Sequence, residues 1–223
     1  MVQMIIDFHT HTHHSYDSKM KPATILKLAK KRGLDGIVIC DHNTIKGGIE
    51  TFNLNKDSSF TVIVGAEIYT DAGDITGIFL TKEITARKFN EVVKEIKAQG
   101  GKTILNHPYK GHDLTKVDFS KIDFIEGYNS RLNKKDNAKA IALAKKYNIP
   151  IIAGSDSHLY NEIANCKTHI SDIKKMDIIR CDYKKSNYIN ITISQYIKAY
   201  KRKDLNIVIS ATIIYFKKLL KLS

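Results

Sequence analysis

Apolar and polar positions alternate along this chain in two rhythms. Short runs rich in isoleucine and valine recur, and the stretches between them space their apolar residues three and four apart. The runs read as strands at MIIDFH (4–9), GIVICD (36–41), FTVIVGAEI (60–68), ITGIFL (75–80), KTILNH (102–107), FIEGYN (124–129) and PIIAGSD (150–156). Near-continuous apolar runs of this kind suit parallel strands buried on both faces. Between them, Pro22 opens a helix in which Ile25, Leu28 and Ala29 share a face, and Gly33 stops it. Residues 83–101 and 133–148 follow the same plan, whereas 43–59 and 108–121 read as loops. The pattern predicts an α/β fold assembled from βα units.

The polar residues fall at one end of the predicted strands. His9 and His11 end the first, Asp41 and His42 the second, Glu67 the third, His107 the fifth, Glu126 the sixth, and Asp156 and His158 the last. In a closed parallel barrel those ends converge on one mouth, which is where such barrels place their chemistry. Motifs far apart in sequence then become one site.

Residues 7–17, DFHTHTHHSYD, carry four histidines and two aspartates. Histidine is a poor helix former and an uncommon core residue, so packing does not explain the crowding. In extended chain, residues two apart point to the same face, so His9 and His11 can reach one metal ion. Asp156 and His158 repeat that spacing in GSDSH. A set of imidazoles and carboxylates without thiolate suits Mn, Zn or Fe better than a structural zinc site. Glu67 can bridge two cations, as an imidazole cannot. Asp7 is expected to orient His9 without binding metal itself. His13, His14, His112 and His169 lack partners at ligand spacing and are expected at the surface or behind the ligands. Cys40, inside an apolar run, reads as a packed thiol.

Composition changes the picture in two places. The chain has 223 residues and a net charge of +13, from 36 basic against 23 acidic residues. From Tyr183 onward there are nine basic residues (among them Lys184, Lys198, Lys201, Arg202 and Lys217) against the single acid Asp204. The βα rhythm ends near residues 180–186, so the expected division is a barrel over 1–182 and a basic C-terminal extension over 183–223. Such charge admits nucleic acid as a partner of the extension, but a solvated pair of basic helices needs no partner. The most apolar stretch, 205–216, is well short of the ~20 residues a membrane span needs, and reads as a docking helix or strand. Three distant cysteines, Cys40, Cys166 and Cys181, and an N-terminus without a signal-peptide pattern point to a reducing, cytoplasmic setting.

Taken in order, HTH (9–11), CDHN (40–43), GAE (65–67), NHP (106–108) and GSDSH (154–158) resemble the motifs of the PHP family, the polymerase and histidinol phosphatase superfamily. The resemblance implies a distorted seven-stranded, TIM-like β/α barrel with two or three divalent cations at its C-terminal mouth. It implies that His9 and His11 share a cation with Asp156 and that Glu67 bridges. His107 and His158 would complete other coordination spheres, and His42 and Asp17 would hold a further ion. Where many members have a histidine in an HxxG stretch, DITG here offers Asp74 instead.

The activity expected from these residues is phosphoester hydrolysis by a metal-bridging hydroxide, with Glu67, His107 and Asp156 at the reaction centre. Arg131 and Lys110, just past strand ends, are candidates to grip the phosphate of a small phosphorylated substrate or nucleotide. Three other functions use the same barrel. One is a nuclease or phosphodiesterase acting on nucleic acid ends. Another is a non-catalytic RNA-binding barrel like a protein subunit of ribonuclease P. The third is hydrolysis of a C–N or lactone bond in the manner of amidohydrolases.

Overall fold

The computed structural model describes residues 3–173 and 175–219, with side chains through Phe216; Lys221 and the side chains of Lys217 and Lys218 lie outside the described residues. One sheet organises the chain. Its strands are β1 (Met4–Thr10), β2 (Gly36–His42), β3 (Thr61–Thr70), β4 (Gly73–Ile78), β5 (Lys102–Leu105), β6 (Phe124–Asn129), β7 (Ile151–Gly154), β8 (Cys166–Asp172) and β9 (Asp177–Tyr183). They lie in the order β7-β6-β5-β4-β3-β2-β1-β8-β9. The sheet curls until its ends nearly meet. His11 donates its backbone N–H to Ser157 and Ser157 donates to His9, at 3.0 and 3.1 Å, which joins β1 to the segment just after β7. The seam lies at the mouth, beside the histidines.

The strand number is therefore nine among the described residues, not the expected seven. The additional pair, β8 and β9, is an antiparallel hairpin on the far side of β1. Charge hides it in the sequence: β9 reads DIIRCDY and is exposed along most of its length, as befits an edge strand protected by charged side chains. Strand direction also departs from expectation at β4, which runs antiparallel to both β3 and β5. Only Asp71 and Ala72 separate β3 from β4, far too few residues for a parallel crossover.

The apolar pattern is used twice. Phe8, Val38, Ile63, Ile78, Ile104 and Ile152 come from six strands and form one buried cluster inside the curved sheet. The outer face is covered by α1 (Pro22–Lys31), α3 (Phe89–Ala98) and α4 (Lys134–Tyr147), whose buried stripes include Ile25, Ile96 and Ala140. The predicted helix over 83–101 begins only at Phe89, because Glu95 folds back to accept hydrogen bonds from Thr85 and holds the entering chain extended. The loop expected over 43–59 contains α2 (Lys46–Leu54). Two glycines in its first turn weaken the helical signal, and the fold requires the first of them. A Cβ on Gly47 would lie 1.9 Å from Asp41 Oδ2 and 2.3 Å from Thr12 Oγ1.

The division expected after residue 182 falls within the last residues of β9, which ends at Tyr183, and the residues after it fold as α5 (Tyr188–Arg202) and α6 (Leu205–Leu219). α5 docks onto the loop between β1 and α1. Lys201 Nζ donates to the carbonyls of His13, Ser15 and Ser18 at 2.7–2.8 Å. Arg202 and Lys198 lie over the Tyr16 ring, 4.0 and 5.1 Å from its centroid. Three of the extension's cations, Lys198, Lys201 and Arg202, thus touch the barrel, while Lys184, Lys185 and Lys203 are exposed. No helix among the described residues is long and apolar enough to cross a membrane.

Candidate metal centre

At the mouth, donor atoms from six strands and the turns after them come within a few ångströms of each other. Their centre is Glu67, near the end of β3, fully buried with its carboxylate shared by four imidazoles. Oε2 lies 3.1 Å from His42 Nδ1 and 3.5 Å from the Nε2 atoms of both His9 and His11, while Oε1 lies 3.0 Å from His107 Nε2. Asp156 Oδ1 is 3.7 and 3.5 Å from the same nitrogens of His9 and His11. On the other flank Asp17 Oδ2 stands 3.2 Å from both His42 Nε2 and His158 Nε2.

Three groups of potential ligands result: His9, His11 and Glu67; His11, Asp17, His42 and His158; and Glu67, Asp74 and His107. In each, the donor atoms lie within 4.8 Å of one another. Adjacent groups share Glu67 or His11, so cations held by them would be neighbours. Of the nine residues expected as ligands, eight (His9, His11, Asp17, His42, Glu67, Asp74, His107 and His158) belong to these groups, and Asp156 stands beside them, its Oδ1 3.5–3.7 Å from His9 and His11.

The hydrogen-bonding pattern of these residues fits cations. His9 Nε2 and His11 Nε2 face each other at 3.1 Å, a pair that needs a proton or a cation between its lone pairs. Burial opposes a proton on His9, but Cys40, Glu126, Glu67 and Asp156 raise its pKa well above the usual range, and a cation would take that proton's place. Asp17 Oδ1 and His107 Nδ1 are buried without a hydrogen-bond partner in the protein, where such atoms are ordinarily paired. Electrostatics agree. Burial, helped by His158 and His42, pulls His11 down to about 3, so it is neutral and can donate a lone pair. Burial opposes the charge of Glu67, but His9 and His42 hold it well below the usual carboxylate range. Burial and then Glu67 push Asp74 up, which marks a carboxyl short of positive charge.

Behind the donors stands a scaffold that orients them. Glu126 on β6 is the member of it that sequence reading left without a role. Its Oε1 lies 2.9 Å from His9 Nδ1, and its Oε2 accepts from His107 N at 2.9 Å and from Asn129 Nδ2 at 2.9 Å. It thereby turns Nε2 of His9 toward the ligand group. The signal was present, since Glu126 ends a strand as the ligands do, but strand position alone does not separate a ligand from its support. The backbone leaves Glu126 room, for a Cβ on Gly154 would lie 2.1 Å from its Oε1. We expect Glu126→Gln to weaken metal binding by about 10–100-fold, measured by competition with a chromogenic chelator. Unchanged affinity would remove Glu126 from the site.

Other expected residues take different places. Asp7 accepts hydrogen bonds from the backbone of His9, Ser155 and Ala164, tying β1 to the segment after β7. Asp41 is consumed by Thr12 and Ser15 at 2.6–2.7 Å. Arg131 lines the mouth, but its head is held by Ser194 of α5 and lies 3.7 Å from the buried carboxylate of Glu162. Lys110 reaches to 4.0 Å from Asp156 Oδ2 with its side chain largely exposed. His13 and His14, expected to lack partners at ligand spacing, face Glu50 of α2 at 3.7 and 2.8 Å and form with it a fourth group of potential ligands, which the fold rather than the local sequence assembles. His169 is buried in β8 against Asp182 at 2.7 Å. Cys40 is a fully buried thiol whose pKa burial pushes well up.

Comparison with known proteins places this geometry. The chain is 36% identical over 143 residues to the uncharacterised protein MJ1587 of Methanocaldococcus jannaschii, covering 56% of this chain and 84% of that protein. It is 30% identical over 182 residues to the uncharacterised protein MJ0417 of the same organism, covering 76% of this chain and 72% of that one. Among solved structures it is similar to a two-domain protein from Bacteroides vulgatus described as containing a predicted PHP-like metal-dependent phosphoesterase. That likeness has a TM-score of 0.64 at 22% identity and covers 76% of this chain and 58% of the other, so it speaks for the fold. The family model described as the PHP domain matches residues 7–207, from the first strand through α5 and into α6. A match over that much of the sequence means that this chain belongs to the PHP domain family.

Proposed function

We propose that the protein is a metal-dependent phosphoesterase that hydrolyses a small phosphate ester. The observation that carries this reading is Glu67, which joins the ligand groups at the floor of a cavity of about 580 Å³ also lined by Lys110 and Lys198. Divalent Mn, Zn or Fe ions held there would acidify a bound water and screen phosphate oxygens.

The residues divide the remaining work. His9 and His11 with Asp156 would hold one cation, His42, Asp17 and His158 another, and His107 with Asp74 a further one, with Glu67 available to all three groups. Neutral His11 supplies a lone pair without needing to lose a proton. Glu126 and Asn129 keep the set in register from below, and Asn106 Nδ2 holds Glu67 Oε1 at 2.9 Å. Lys110, exposed at the end of a long stem, is placed to meet the non-bridging oxygens of an incoming phosphate. Arg131 contributes positive potential from a position fixed by Ser194 and Glu162.

The reading is tested by metal content of the purified protein together with hydrolysis of an aryl phosphate and a bis-aryl phosphate in added Mn. Bound metal with turnover of the monoester is expected. Faster turnover of the diester would favour the nuclease reading, and no turnover of either with metal bound would sink phosphoester hydrolysis.

A further inference from the structure

The cavity has two chemically different walls. Its floor is the ligand set, ringed by Lys110 and by Lys198, which sits over Tyr16, itself stacked on His42 at 4.4 Å. Its roof is the helical extension. From α6 it takes Asn206, Ile207, Ser210, Ala211 and Ile214, a spacing that puts all five on one helix face. None is charged, and no residue from 205 to 216 is. From α5 the roof adds Ile191, Thr192 and Gln195 before Lys198 returns to positive charge at the floor.

We infer that α5 and α6 form a specificity wall, and that the substrate is a small phosphomonoester whose alcohol portion is uncharged and largely apolar. This rests on the phosphoesterase reading of the floor. At about 580 Å³ the cavity has the size of a small-molecule site. A ligand with one charged end finds Lys110 and Lys198 at the floor to meet its phosphate, while Arg131, which also lines the cavity, is held by Ser194 and Glu162. Its other end would displace water from Ile191, Ile207 and Ile214. A polynucleotide end fits poorly, because its next phosphates would lie against the uncharged face of α6, and binding to a polyanion draws on many cationic contacts. Lys198 is then a specificity residue for the phosphate end, and Ile207 for the apolar end.

Alkylphosphonates, which have no ester to hydrolyse, separate this inference from the reading beneath it. With the Mn-loaded full chain, calorimetry should show affinity rising from methyl- to butyl- to hexylphosphonate by up to about fourfold per covered methylene. Ile207→Ser should flatten that series while methylphosphonate binds within about twofold of wild type. Ile207 is only partly buried and belongs to none of the core clusters, so the variant is expected to fold, and its circular dichroism is checked alongside. Lys198→Met should weaken every member of the series by a similar factor. A flat wild-type series with methylphosphonate still bound would overturn the wall and leave the phosphoesterase reading standing. Tighter binding of a 5′-phosphorylated tetranucleotide than of hexylphosphonate would likewise overturn it. Failure of every phosphonate to bind, with no turnover of aryl phosphate, would overturn both.

Discussion

Glu67→Gln should lower kcat on an aryl phosphate by roughly 10²–10³-fold, the scale of losing one preorganised electrostatic group, and lower the metal content of the purified protein with it. Glutamine keeps the shape of glutamate and can still accept the hydrogen bond from Asn106 through its amide oxygen. What it removes is the charge that sits within 3.0–3.5 Å of His9, His11, His42 and His107. An amide N–H would also point at nitrogen lone pairs that must face cations. The loss should fall on more than one ligand group, because Glu67 belongs to two of them. Folding should survive, since the apolar clusters inside and outside the sheet do not include this residue. Metal content by mass spectrometry and kcat are measured on the same preparation. Wild-type metal content together with wild-type turnover would refute Glu67 as the shared ligand.

Removal of metal by a chelator should abolish turnover and lower the melting temperature by about 5–10 °C. Cations at a hundred times their dissociation constant stabilise the native state by about 2.7 kcal/mol per site, and for a chain of this size each kcal/mol is worth roughly 2–4 °C. Two or three sites would add to the shift. The direction follows from the metal-free site, where carboxylates and imidazoles crowd a buried volume and Asp17 Oδ1 and His107 Nδ1 have no protein partner. Paired and unpaired polar groups of this kind cost stability that a cation restores. Calorimetry before and after chelation, then after adding back Mn or Zn, measures it. A melting temperature indifferent to the metal would show that these side chains hold no cation in the folded protein.

Much of the site was legible because ligand chemistry is written in residue type and strand position. HTH, CDHN, GAE, NHP and GSDSH name histidines and carboxylates directly, and each sits where an apolar run stops. Support residues are less legible. Glu126 is chemically the same as Glu67 and ends a strand as Glu67 does; only the 2.9 Å contact with His9 Nδ1 separates a ligand's orienter from a ligand. Asp41 next to His42 has the reverse history, since its neighbours Thr12 and Ser15 arrive from another part of the chain to occupy its oxygens.

The sequence by itself determined the α/β alternation, the strands that line the mouth and the polar residues they deliver, because hydrophobic periodicity and ligand chemistry are local properties. Tertiary structure alone decided the antiparallel turn at β4, the β8–β9 hairpin and the placing of the basic extension as a roof. Each depends on what a segment packs against. A charged edge strand looks like a loop until its partner strand is known, and a basic amphipathic helix looks solvated until Lys201 is seen to grip the carbonyls of the loop that carries Asp17.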